Sequence, residues 1–316
     1  MKKVVVVGSL NMDLVIEVDR IPKIGETIKG DEMSYLIGGK GSNQAVSACR
    51  LGNDVSMIGC VGNDTFGDKI LKHLKEEGVN IDGIKCDEAT FTGIATIFKT
   101  KEDNSIVVIP GANDFCNTDL IDENIETIKS ADVLIVQLEI PMETVEYALK
   151  IAKENGVKTI LNPAPARKLS KEILKNADFI TPNETEFEII ANKNFKDENE
   201  LEESMIAWQA ENPLTRLVVT RGKDGSSYVE GDEVETIKTI KVDVLDTTGA
   251  GDTFNGSLAH GVSHNLLISE AVAFAGTAAS LSVTKFGAQT GMPKLEEVNK
   301  IYNKKKWLIR DKSYIH

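Results

Sequence analysis

Short, almost wholly apolar runs alternate with helix-length amphipathic stretches along most of this chain, and that alternation constrains the fold more than any other feature. The runs cover residues 4–7, 55–60, 133–137, 159–162, 179–181 and 217–220, and stretches with helical spacing at 42–51, 65–77, 142–155, 184–191 and 198–210 lie between them. A strand that reads as a continuous apolar run is covered on both faces, and strands separated by helices pair in parallel. The predicted fold is α/β: a three-layer α/β/α sandwich with a mainly parallel central sheet.

Two regions break the rhythm. Residues 14–29 and 92–109 read as β without intervening helices, with turn signals from Pro22 to Gly25 and at Asp103-Asn104. They predict a small antiparallel sheet lying as a flap over the open edge of the α/β body. The body then comprises residues 1–13, 30–91 and 110–303, the β lid 14–29 and 92–109, and a C-terminal tail 304–316. A further β run over 238–245 precedes three helices, at about 250–262, 269–284 and 295–305.

Charge removes several classes of partner. The 316 residues carry 36 Lys and Arg against 49 Asp and Glu, a formal charge of −13. Nucleic acids and anionic membranes reward clustered cations, so neither is an expected partner. The apolar run after Lys2-Lys3 stops at Gly8, too short for a signal peptide, and no stretch approaches the roughly 18 residues of a membrane span. Cys49, Cys60, Cys86 and Cys116 form no C-x-x-C pair, which suits a reducing cytoplasm and supplies no zinc framework. His260 and His264 have a zinc-compatible i, i+4 spacing but no third ligand, and read as ordinary surface or core histidines.

The chemistry concentrates where strands give way to loops. In Asp246-Thr247-Thr248-Gly249-Ala250-Gly251-Asp252-Thr253-Phe254 a β run enters a helix through small residues. Successive N–H groups at a helix N-terminus make an anion site, with Asp252 in the first turn beside it; an inert capped turn can have the same sequence. Gly38-Gly39-Lys40-Gly41-Ser42-Asn43-Gln44-Ala45 is a second glycine-rich helix start and lacks the Walker A spacing. Gly8-Ser9-Leu10-Asn11-Met12-Asp13 follows the first strand, at the edge where open α/β sheets bind ligands. Asn11 and Asp13, at i and i+2, can project together and chelate adjacent sugar hydroxyls; a plain turn rich in turn formers has the same sequence. Glu139, Asn162-Pro163-Ala164-Pro165, Thr181-Pro182-Asn183-Glu184-Thr185-Glu186 and Thr220-Arg221-Gly222 end further strands on the same rim. Asn183 and Glu186 there are candidates to act on magnesium through water.

Taken together, the Gly-Ser-x-Asn-x-Asp start, the 38–45 loop, 162–166, 181–186 and 246–254 resemble the PfkB carbohydrate kinase family in order and spacing, from about Val4 to Pro293. The resemblance implies ATP-dependent phosphorylation of D-ribose at O5. Asp252 would be the catalytic base, and the N–H groups of Gly249, Ala250, Gly251 and Asp252 the anion hole. Ribose would be held by Asn11, Asp13, Gly39, Lys40, Asn43, Glu139 and Asp252. ATP would contact Asn183, Thr220, Gly222, Gly251 and Gly276, with Glu186 placing Mg²⁺ through water. A K⁺ ion would be held by Asp246, Thr248, Ser282, Lys285, Gly287 and Gly291, mostly through carbonyl oxygens. Gly276 and Gly291 depart from the family, which often has a polar side chain at the first and a serine at the second. The lid would cover the sugar and pair two subunits as a homodimer. Rival readings are a sister kinase acting on deoxyribose, fructose or a nucleoside, and a non-catalytic ribose or nucleotide sensor. The absence of Gly-x-Gly-x-x-Gly after the first strand disfavours a dinucleotide-dependent dehydrogenase.

Overall fold

The computed structural model describes residues 1–100 and 104–310, with side chains as far as Lys304. Its strands, in chain order, are β1 (Lys3–Val7), β2 (Asn11–Glu17), β3 (Glu32–Gly38), β4 (Asp54–Gly62), β5 (Asn80–Asp87), β6 (Gly93–Lys99), β7 (Asn104–Ile109), β8 (Val133–Val136), β9 (Lys158–Leu161), β10 (Phe179–Ile180), β11 (Arg216–Thr220), β12 (Ser226–Glu230) and β13 (Glu233–Ile237). Among the described residues nine of them form one sheet, in the order β13-β12-β11-β10-β9-β8-β1-β4-β5. From β11 to β5 every neighbour runs parallel, and β12 and β13 turn back antiparallel at one edge.

Alternation along the strands divides the interior in two. Val5, Val7, Ile58, Leu134 and Val136 face one layer, where they meet Val145 and Leu149 of helix Met142–Glu154 and Met205 and Trp208 of helix Glu198–Glu211. Val4, Val6, Met57, Val133 and Ile135 face the other, against helices Lys40–Arg50, Ala250–Ser263 and Ile268–Ser282. Val4 through Val7 are at most 2% exposed. Burial at this depth stabilises by roughly 1.5–3 kcal/mol per valine, and explains why such runs need no polar face. The predicted three-layer α/β/α sandwich is thus the observed architecture. Among the described residues no helix is long and apolar enough to cross a membrane.

The remaining strands form a separate sheet in the order β3-β2-β6-β7. It corrects the sequence reading in two respects. First, it is mixed: β2 pairs with β3 and β6 with β7 antiparallel, but β2 and β6 run parallel. Both leave the carboxyl edge of parallel strands, β1 and β5, and so travel outward in the same direction. Second, β3 lies in residues assigned to the body, and β2 begins at Asn11, so the lid takes more of the N-terminal region than 14–29. The run 238–245 also departs from expectation. It forms no strand, because β13 already ends the sheet and offers it no ladder, and Val244 and Leu245 lie exposed. Helix Leu295–Arg310 continues past Lys304, where a tail was expected. Residues 311–316, and Asp103 of the expected lid turn, lie outside the described residues.

Candidate active site

Helix Ala250–Ser263 starts at Gly249, whose φ of 75° is a left-handed conformation that a side chain would disfavour. A Cβ there would also lie 2.7 Å from that of Ala288. The N–H of Ala250 donates to the Thr247 carbonyl at 3.2 Å, so this member of the expected anion hole is turned into the loop. Those of Gly251 and Asp252 are among the donors that a helix N-terminus leaves without intrahelical partners. Open space adjoins Gly251. Asp252 itself is only 8% exposed. Its Oδ2 accepts from Asn43 Nδ2 at 2.9 Å and its Oδ1 from Gln44 Nε2 at 3.0 Å. Burial pushes its pKa up, opposed by the Lys40 charge and those two amide donors.

Asn11 and Asp13 stand on β2 itself rather than on the turn assigned to them, which Gly8 to Leu10 supply. In register, Asn11 lies between Gly38 of β3 and Gly93 of β6. Both neighbours need to be glycine for room: a Cβ on Gly38 would fall 2.2 Å from Asp13 Oδ2, and one on Gly93 2.3 Å from Asn11 Oδ1. Asn113 fastens this strand to the body. Its Oδ1 accepts from the Leu10 N–H at 2.9 Å, and its Nδ2 donates to Asn11 Oδ1 at 2.8 Å. Glu139 accepts from Ser9 Oγ at 2.5 Å and from the Lys40 N–H at 3.2 Å, joining the ends of β1 and β8 to the 38–45 loop.

Lys40, Asp13, Glu139 and Asp252 therefore converge. Burial would lower the Lys40 pKa, but the charges of Asp252, Glu139, Glu186 and Asp13 outweigh it and hold the ammonium charged. Burial, with Glu139 and Asp252 adding to it, raises Asp13 to about 7. One cation among four carboxylates suits a ligand that brings hydroxyl donors and then meets an anion.

Asn183 and Glu186 form a reciprocal capping box at helix Glu184–Ala191, each accepting from the other's N–H at 2.8 Å. Glu186 keeps a second oxygen, and burial raises its pKa despite the Asn183 N–H and the Lys40 charge. Asn183 bridges to Thr220 in parallel, and Gly222 and Gly276 both adjoin open space. At the loop before Asp252, Asp246 Oδ1 accepts from the Thr248 N–H and Oγ, and its Oδ2 from the Gly287 N–H. Leu245 and Asp246 both donate to the Val283 carbonyl, so the segments around Asp246 and Ser282 are stitched together. The Ser282 carbonyl lies against Gly291, where a Cβ would come within 2.1 Å of it. The lid reaches this loop where the Lys99 ammonium sits 4.5 Å from the centre of the Phe286 ring. A cavity of about 260 Å³ separates the two, lined by Asp13, Leu36, Ile97, Asp246, Phe286 and Ala288 among others.

Residues 1–295 match the model of the pfkB family carbohydrate kinases. The chain belongs to that family. It is an enzyme, a carbohydrate kinase, with the family's fold. It is 45% identical over 300 residues to a ribokinase of Lactococcus lactis subsp. lactis, covering 94% of this chain and 96% of that one. A deoxyribokinase of Salmonella typhimurium is 34% identical, with 94% and 97% covered. Among solved structures, that of Arabidopsis thaliana ribokinase complexed with ribose and ATP superposes with a TM-score of 0.87 at 30% identity, covering 95% and 98%.

In this kinase Asn11, Asp13, Lys40, Asn43, Glu139 and Asp252 are brought together, and Lys285 is turned aside: its ammonium points toward Glu297 at 4.0 Å. Ser9, Gln44, Asn113, Gln137 and Gln289 hold the rim from behind, and the sequence does not mark them as site residues. Ser9 and Gln44 lie inside glycine-rich motifs; the others carry no local signal. His260 is packed between His264 and Phe274, with ring centroids at 4.2 and 5.1 Å, and burial lowers it to about 4. Among the described residues no three or more His, Cys, Asp or Glu gather as a metal cluster.

Proposed function

We propose that this kinase transfers the γ-phosphoryl group of ATP to O5 of D-ribose, giving ribose 5-phosphate and ADP. The observation that carries the reading is Asp252: a buried carboxylate in the first turn of a helix, both oxygens held by amide donors, beside a charged lysine. Phosphoryl transfer asks a protein mainly for positioning and charge stabilisation. Asp252 would accept the O5 proton, and the N–H groups of Gly249, Gly251 and Asp252 at the helix N-terminus would face the transferring group, that of Ala250 being spent on the Thr247 carbonyl. Asn11, Asp13, Gly39, Lys40, Asn43 and Glu139 would bind the ribose hydroxyls. Asn183, Thr220, Gly222, Gly251 and Gly276 would line the nucleotide.

Glu186, with one oxygen left over from its capping box, fits a Mg²⁺ held mainly by water and phosphate, and would place that ion through water. Bound Mg²⁺ supplies charge neutralisation on the phosphates. The loop of Asp246, Thr248, Ser282, Lys285, Gly287 and Gly291 fits K⁺ in donor chemistry, offering oxygens alone because the Lys285 ammonium is directed to Glu297. Its part would be to hold the Gly249–Asp252 turn.

The apolar strand β7 supports a homodimer through the lid, and free cysteines suit a cytoplasmic setting. A second reading, deoxyribose as acceptor, is favoured by the similarity to the deoxyribokinase. ADP release measured across ribose, deoxyribose, fructose and adenosine decides between them. Ribose should give the highest kcat/KM; a higher value for another acceptor transfers the assignment to it.

A further inference from the structure

We propose that Gln289, held by His73, is a positioning residue that fixes the catalytic carboxylate through Asn43. The inference rests on the reading of Asp252 as the base. Three hydrogen bonds link side chains far apart in sequence. His73 Nε2 meets Gln289 Oε1 at 2.7 Å, Gln289 Nε2 donates to Asn43 Oδ1 at 2.9 Å, and Asn43 Nδ2 donates to Asp252 Oδ2 at 2.9 Å.

The direction of every bond follows from the last one. An ionised carboxylate only accepts, so Asn43 must present its NH₂ to Asp252 and its oxygen to Gln289. Gln289 must then present its NH₂ to Asn43 and its oxygen to His73, which must carry a proton on Nε2. Neutral imidazole in that tautomer and imidazolium satisfy the requirement equally. Asn43 and Gln289 are each 6% exposed. In such a setting an amide turned the wrong way places oxygen against oxygen without water to relieve it.

The outer end of the chain is built to stay still. The Arg50 guanidinium donates to the carbonyls of Gln289 and Met292 and pairs with Glu77 at 2.6 Å. Gln289 Nε2 also approaches Ser42 Oγ at 3.2 Å. A second arm holds Oδ1 in the same manner: Gln44 donates to Asp252, and its own oxygen accepts from Gln137 Nε2 at 2.7 Å. Each amide touching the base is thus oriented by another side chain behind it. His73 lines a surface pocket with Tyr35, Arg50 and Thr290 and takes no part in the rim.

The test is steady-state kinetics of Gln289→Leu, His73→Leu, His73→Gln, the double variant His73→Leu/Gln289→Leu, and Asp252→Asn. Gln289→Leu should lower kcat by about 10- to 100-fold, as misplacement of a reacting group does, with KM for ATP held within about twofold. His73→Leu should cost about 3- to 10-fold, the equivalent of one neutral hydrogen bond, and His73→Gln, which retains an N–H donor, should restore kcat. The double variant should be no worse than Gln289→Leu alone, because both act on one path. Unchanged kcat in folded Gln289→Leu, additive losses in the double variant, or a His73→Gln as impaired as His73→Leu would each overturn the proposal. If Gln289→Leu does not fold, the two His73 variants at their half-buried helix position decide alone. Normal turnover by Asp252→Asn sinks the base reading; an inactive Asp252→Asn beside a normal Gln289→Leu sinks the positioning path alone.

Discussion

The rim of the main sheet and the small sheet above it are built on opposite principles. On the rim, Asp252 is 8% exposed, and both its carboxylate oxygens and the oxygens of the two amides that hold them are tied to partners contributed by distant parts of the chain. On the lid, Ile106, Val107, Val108 and Ile109 of β7 are 47–55% exposed and meet only one neighbouring strand. Buried polar groups held in pairs resist small displacements, because any break leaves an unpaired group in a low dielectric. An edge strand with an apolar exposed face does not, and calls for a cover. The proposed function needs the first kind of construction where groups must be in place at the moment of reaction, and the proposed homodimer needs the second kind where a surface docks.

The largest test of that contrast is Asp252→Asn. It keeps the shape and most contacts but removes the proposed base, so kcat should fall by roughly 10²- to 10⁴-fold with ribose and ATP binding little changed; isothermal titration beside turnover assays would separate the two. Lid substitutions should act more mildly. Ile106→Glu with Val108→Glu should shift sedimentation toward the monomer and lower kcat by less than about 10-fold while leaving the Tm of the body in place. A Tm loss as large as that of a core substitution would show that the lid is not energetically separate.

Gly291→Ser probes the rim without touching substrate. The new Cβ would meet the Ser282 carbonyl at 2.1 Å, and that backbone has no flexible end to yield. Overpacking of this kind costs about 1–3 kcal/mol, so Tm should drop by about 2–5 °C. A variant as stable as the parent would mean that the loop moves freely.

The smallest effect concerns Asp13, which joins the two regions. Burial first, then Glu139 and Asp252, raise it to about 7 from 3.8. Between those pH values the folded chain keeps a proton that the unfolded chain has lost, so stability declines as pH rises through that window. Asp13→Asn removes the decline. Its Tm advantage over the parent should grow by about 2–4 °C between pH 4.5 and pH 8, read by calorimetry; an equal difference at both pH values would refute the assignment.

Much of the rim is legible in the sequence alone, and the reasons are local. Helix Glu184–Ala191 shows in the helical spacing of its residues, and β1 in four consecutive valines that only a doubly covered strand tolerates. β3 is not legible in this way, because Glu32-Met33-Ser34-Tyr35 mixes charge with apolar groups on a strand that is largely exposed. The parallel pairing of β2 with β6 depends on two chain exits about 80 residues apart, which no local pattern records. The same holds for Gln137 and Gln289: an amide's partner is set by topology, and 93 and 246 residues separate them from Gln44 and Asn43.

β2 begins with Asn11 and Asp13, proposed to bind the sugar, and ends with Ile16 and Glu17 farther out in the lid, without a break. On that proposal the lid and the residues that choose the acceptor are one piece of chain and change together. A lid grafted from a relative would import that relative's substrate preference at its first three residues. Diversification within such a scaffold is correspondingly constrained: a new assembly surface and a new substrate arise on a shared stretch of gene, and selection on either is felt by the other.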